Sequence, residues 1–147
     1  MRGQWWHVGF QVRHLPDESL ILRKEIIQVE LAASNPNLSS ATRFGSLVFV
    51  SGQTGRHPTT GQVGKDVREQ TRNALERIKR ILEAAGTALD NVLTVTTHLT
   101  TREDLTAYNE EYAKYFPTSK PARTTVEVML NRPELLVEIT VIACVPD

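Results

Sequence analysis

Between Val67 and Ala85 the apolar and small positions Val67, Thr71, Ala74, Leu75, Ile78, Leu82 and Ala85 recur three and four apart. That is the period of a helix with one buried stripe. It starts near Asp66, and Gly86, free to adopt positive φ, stops it. A second, shorter stripe runs through Leu105, Tyr108, Tyr112 and Phe116. Thr101 is its candidate N-cap, with Asp104 three residues on, and Pro117 ends it. Around these helices stand short runs that read as strands: Glu25–Glu30, Ala41–Phe44, Leu47–Val50, Asn91–Thr100, Arg123–Leu130 and Leu136–Val145. Gly45-Ser46 marks a hairpin turn. Residues 51–66, with four glycines and Pro58, read as loop. The order is β(ββ)αβαββ, an α+β single domain with two helices on one sheet.

The strand faces add a constraint. Leu93, Val95, Thr97 and Leu99 share one face of the fourth strand. Thr124, Val126, Val128 and Leu130 share one face of the fifth, and Val137, Ile139, Val141, Ala143 and Val145 one face of the sixth. These faces are expected under the helices. The opposite faces carry Thr94-Thr96-His98, Arg123-Thr125-Glu127-Met129 and Glu138-Thr140-Ile142-Cys144, rich in Thr and without Lys. A solvated antiparallel face carries more charge than this. Two helices cover only one side, so a homo-oligomer is expected to bury the other.

Charge narrows the function classes. Lys+Arg and Asp+Glu both number 17 in 147 residues, for a net charge of zero. Nucleic-acid binding led by phosphate neutralisation wants a basic excess, and so does a polybasic membrane-surface protein. No apolar run reaches the roughly 20 residues of a membrane span. Cys144 is the single cysteine, and no His-x3-His or His-Glu-x-x-His spacing occurs, so neither a disulfide framework nor a zinc motif is present. A cytoplasmic setting, with no nucleic-acid or membrane partner, is the expectation. Residues 1–23 hold both tryptophans and an alternating Val8, Phe10, Val12 pattern. They read as an amino-terminal extension, flexible or weakly docked, before a domain spanning residues 24–147.

The position that stands out chemically is Arg123. A cation on a covered sheet face needs a partner, and Glu138 on the sixth strand is the matching anion. The pair reads either as an interface ion pair or as a small acid-binding site. In the second case Arg123 offers a planar fork for a carboxylate, and a nearby Glu can position water. Cys144 reads as a small buried hydrophobe, His98 as a structural histidine and His57 as solvated.

Four segments in order resemble one known family. They are Val48-Phe49-Val50-Ser51-Gly52-Gln53, Asn109-x-x-Tyr112-x-x-x-Phe116, Pro121-Ala122-Arg123-x-x-Val126-Glu127-Val128 and Val137-Glu138-Ile139. Together they are similar to the Rid family, the reactive enamine/imine intermediate deaminases also called the YjgF family. The resemblance covers residues 24–145. It implies a chorismate-mutase-like fold, a homotrimer with clefts between subunits, and a last strand inserted between the third and fourth. The short turn after Leu130 alone would suggest a hairpin of the last two strands.

The resemblance also implies the reaction: hydrolysis of 2-imino acids, formed from released enamines, to 2-keto acids and ammonia, with no metal or organic cofactor. Its ligand-binding arginine falls on Arg123, and a carboxylate-binding backbone N–H on Thr125. Its glutamate falls on Glu138, its Ser-Gly pair on Ser51 and Gly52, and its helix asparagine on Asn109. Positioning plus one general base can suffice, because an imine carbon is already electrophilic. Gly52 is expected to let backbone approach the ligand. The chain departs from the pattern at Leu38, where many deaminases carry tyrosine, and at Thr124, Thr125 and Met129. The alternative of another class is a non-catalytic trimer that binds small carboxylates.

Overall fold

The computed structural model describes residues 22–147, so the extension expected over residues 1–23 lies almost wholly outside the described residues. Six strands form one mixed sheet: β1 (Glu25–Ile27), β2 (Ala41–Phe44), β3 (Leu47–Thr54), β4 (Val92–Leu99), β5 (Ala122–Glu127) and β6 (Val137–Cys144). The helices α1 (Val67–Ala84) and α2 (Leu105–Tyr112) pack on one face of it. The strand order is β1-β2-β3-β6-β4-β5. β6 therefore lies between β3 and β4, antiparallel to both, as the family resemblance implies. The hairpin that the short turn suggested does not form: β5 pairs with β4 alone, in parallel.

Local chemistry explains the boundaries. The Asp66 side chain accepts from the Glu69 backbone N–H at 2.9 Å and caps α1. At the other end Thr87 N–H reaches Leu82 C=O and Gly86 N–H reaches Glu83 C=O, with Gly86 at φ 79°. This is a Schellman arrangement, which a residue without Cβ adopts at least cost. Thr101 caps a short 3-10 turn, Arg102–Asp104, which leads into α2. Leu75, Ile78, Ile81 and Leu82 of α1 are fully buried against Val48, Val95, Ile139 and Val141 of the sheet.

Three expectations about faces are corrected. In β5 the register sets Arg123 beside Val95 and Thr125 beside Thr97. Paired residues of neighbouring strands point the same way, so Arg123, Thr125 and Glu127 lie on the helix face, while Thr124 and Val126 lie on the open one. The apolar alternation misled because β5 is an edge strand that reaches past the main core, and Val126 stays 40% exposed. In β4, Leu93 is 48% exposed. A register shift between Val92 and Thr94 turns Val92 inward in its place. Leu105, at the first position of α2, is exposed, whereas Tyr108, Tyr112 and Phe116 are buried.

Candidate functional site

β3 continues through Thr54, four residues beyond its expected end, because an irregularity absorbs one extra residue. Val50 pairs with Val141 and Gln53 with Ile139, leaving Ser51 and Gly52 in a bulge. Gln53 holds the bulge from inside. Its Nε2 donates to Ser51 C=O at 2.9 Å and its Oε1 accepts from Arg77 Nε at 2.9 Å. The Ser51 hydroxyl donates to Ser39 C=O at 2.6 Å. Gly52 has a specific neighbour: the Glu138 side chain lies over it. A Cβ built on Gly52 would land on Glu138 Oε1, with Cδ at 3.1 Å and Cγ at 3.2 Å. The space expected for a ligand at Gly52 is thus taken by the Glu138 carboxylate. Glu138 leaves β6 on the open face, between Thr54 and His98. It borders a cavity of about 720 Å³ whose wall includes Leu38, Gly52, Arg56, Arg77 and Arg132.

Arg123 belongs to a different wall. Its guanidinium carbon sits 4.7 Å from the Tyr112 ring centroid and 5.4 Å from that of Tyr108. Both distances fall in the cation–π range. Burial raises the Tyr108 phenol, partly offset by the hydrogen bond to Thr97 and by the Arg123 charge. The Tyr112 phenol is pushed up to about 12, by burial first and then by Tyr108. Both rings are therefore neutral at neutral pH and offer Arg123 a face without a counter-charge. The Tyr108 hydroxyl pairs with Thr97 at 2.6 Å. Three polar atoms of α2 and β5 are buried without a partner among the described residues: Asn109 Oδ1, Tyr112 Oη and Thr125 Oγ1. Asn109 and Tyr112 come from α2, and Thr125 from the helix face of β5.

Arg123 and Glu138 therefore leave opposite faces of the sheet, and no ion pair joins them. The expectation that they share a face came from the misassigned side of β5. Within one chain the structure brings Glu138 over Gly52, with Ser51 in the same bulge, and sets Arg123 against the α2 rings on the face of β5 that also carries Thr125; Asn109 lies on α2 beside those rings in sequence. Sequence reasoning assigned Tyr108 and Tyr112 to the core alone; their i, i+4 spacing was the available signal for a ring platform. It also passed over Gln53 and Arg77, whose contact depends on the bulge. Among the described residues no cluster of His, Cys, Asp or Glu could hold a metal ion. No helix among them is long and apolar enough to cross a membrane.

Known proteins share this architecture. A family model described as endoribonuclease L-PSP matches residues 28–145. A RutC family protein of Pyrococcus horikoshii is 44% identical over 122 residues, covering 82% of this chain and 97% of its own length. The chloroplastic Reactive Intermediate Deaminase A of Arabidopsis thaliana is 37% identical over 124 residues, 83% of this chain and 66% of its own. The crystal structure of the YjgF gene product from E. coli superposes with a TM-score of 0.77 at 31% identity, over 82% of this chain and 98% of that one. Sequence and fold agree over the whole stretch that carries both groups of site residues, and the chain belongs to the endoribonuclease L-PSP family, the YjgF/RutC or Rid family.

Proposed function

We propose that this protein hydrolyses reactive 2-imino acids, and the enamines that give rise to them, to 2-keto acids and ammonia. The observation that carries the reading is the division of the site. One face presents a carboxylate, Glu138, over a glycine. The other presents a cation, Arg123, against the Tyr112 ring, on elements that hold three buried polar atoms without partners among the described residues. Neither half suffices, and two copies packed so that the β5 edge of one meets the Ser51–Gly52 bulge of the next would bring one half of each together. The open face of the sheet carries Phe49 (41% exposed), Leu47, Val126 and Ile142 among threonines, a surface suited to burial against a like chain. A homotrimer with three shared clefts follows the family pattern. The name of the Arabidopsis relative as a reactive intermediate deaminase supports the same chemistry.

In this reading Arg123 clamps the substrate carboxylate with its planar fork, while the Thr125 backbone N–H and the Asn109 amide complete the cradle. Ser51 and Gly52 border the reacting carbon. Glu138 orients a water and takes its proton as the oxygen adds to the imine carbon. Glu138 returns its proton to nitrogen, and the tetrahedral adduct then collapses: the adduct's hydroxyl gives up its proton as the carbonyl forms, the C–N bond breaks, and nitrogen, having gained both water protons, leaves as ammonia from the keto acid. No redox change occurs. Ribonuclease action, which the family description mentions, fits less well with a net charge of zero.

The test generates imino acids in situ with an amino-acid oxidase and follows keto-acid release. Glu138→Gln should lower kcat at least ~100-fold while a keto acid still binds, as expected when only a transition-state interaction is lost. Arg123→Ala should abolish keto-acid binding. Full turnover by Glu138→Gln would remove Glu138 as the base, and no keto-acid release by the unmodified protein above the uncatalysed rate, with binding lost in Arg123→Ala, would make it a carboxylate binder instead.

A further inference from the structure

Beside Glu138 the cavity wall is unusually cationic. Three arginines line it, Arg56, Arg77 and Arg132, against the single carboxylate of Glu138. Arg56 is already neutralised by Glu134 at 3.1 Å. Arg77 is not. It is only 7% exposed, yet its hydrogen bonds go to neutral oxygens, Gln53 Oε1 and Ala32 C=O, both at 2.9 Å. Burial, followed by the nearby Arg56 and Arg80, pulls its pKa below the usual arginine range. Arg132, in the exposed turn before β6, has no carboxylate within ion-pair distance among the described residues. A buried guanidinium without a counter-ion is costly. The cavity keeps a positive excess even after Glu138 is counted, and at about 720 Å³ it has more room than a small keto acid needs.

From this geometry we infer that the cavity lined by Arg77 and Arg132 is an anion subsite that takes a second carboxylate, at the far end of the substrate side chain. The inference rests on the deaminase reading and names its substrate class: 2-imino dicarboxylic acids. The subsite adjoins Gly52 and Glu138, so an acid held there through its distal group keeps its reacting carbon at the Glu138 wall. Arg77 supplies the buried charge, fixed by Gln53 and Ala32. Arg132 supplies the outer one, from a turn whose substitution leaves the core untouched.

Calorimetric titration of the full-length protein with two keto acids of equal chain length, 2-oxoglutarate and 2-oxopentanoate, tests it. The diacid should bind at least tenfold more tightly, about 1.4 kcal/mol. In Arg132→Gln that advantage should fall below about threefold, with 2-oxopentanoate affinity unchanged. Equal affinities in the unmodified protein would overturn this inference and leave the deaminase reading standing. Failure of both acids to bind would overturn both. Inorganic phosphate is the second probe. If it binds in the absence of keto acid, is weakened by Arg132→Gln, and coincides with no diacid preference, the cavity takes a free anion and the assignment to substrate is wrong.

Discussion

Gly52→Ala is the most discriminating single change, because its effects on folding and on chemistry should separate. Gly52 does not have positive φ, so alanine fits the backbone. The added methyl meets the far end of a side chain, Glu138 Oε1, and not a backbone atom. The carboxylate must swing away by about 1 Å to restore ordinary contact. Moving Glu138 off its preferred rotamer costs about 0.5–1.5 kcal/mol. Replacing glycine within a strand gains about 0.5–1 kcal/mol. The two nearly cancel, so Tm should move by no more than about 4 °C. Catalysis has no such compensation. A displacement of about 1 Å in a positioning group can cost roughly 100-fold. The assay pairs a thermal melt with keto-acid release from 2-iminobutanoate made in situ. Loss of kcat/KM at unchanged Tm is the expected result. Unchanged turnover would show that the seat of Glu138 over Gly52 is irrelevant to the reaction, and a collapsed Tm would make Gly52 a folding residue.

Other changes probe the remaining parts. Tyr112→Phe removes a buried hydroxyl without a partner, so light-scattering mass and Tm should hold, while keto-acid affinity drops if that hydroxyl meets the ligand. Ile142→Asp places a charge at the centre of the open face; mass by light scattering should fall from near three chains to one, and activity should fall with it. Glu111 is buried between Arg72 (3.0 Å) and Lys114 (2.6 Å). Burial alone would raise its pKa, but the hydrogen bonds from Lys114 and Arg72 hold it below the usual carboxylate range. Its stabilisation is therefore complete above the ordinary carboxylate pKa and is lost as pH falls through the lowered one. Glu111→Gln should cost about 1.5–3 kcal/mol near pH 7 and flatten the acid side of a Tm-versus-pH curve below about pH 4.

Helix α1 was legible to within a residue, because its period, a start near Asp66 and the Gly86 stop all point the same way. The hairpin at Gly45-Ser46 was legible for the same reason. Strand neighbours were not. Alternation tells which side of a strand is apolar but not which strand lies beside it, and the resemblance, not the pattern, placed β6 between β3 and β4. β5 was turned over because Val126 and Val128 looked like core, while the edge position leaves neither face deeply buried. The bulge at Ser51-Gly52 adds one residue to β3 with no mark in the hydrophobic pattern. Site residues were recognisable as types and positions. That Arg123 and Glu138 leave opposite faces was not, since it depends on the register of β5 against β4.

The central claim is that each working cleft takes Arg123 from one chain and Glu138 from another. It is tested most directly by mixing. Arg123→Ala and Glu138→Gln chains, each inactive alone, are denatured together in equal amounts and refolded, and keto-acid release is measured. Random closed rings should contain about a quarter of their clefts with both functional groups intact, and activity should return to about that fraction of the unmodified protein. A mixture as inactive as its components, with trimers formed, would contradict the account, because Arg123 and Glu138 would then have to act from the same chain.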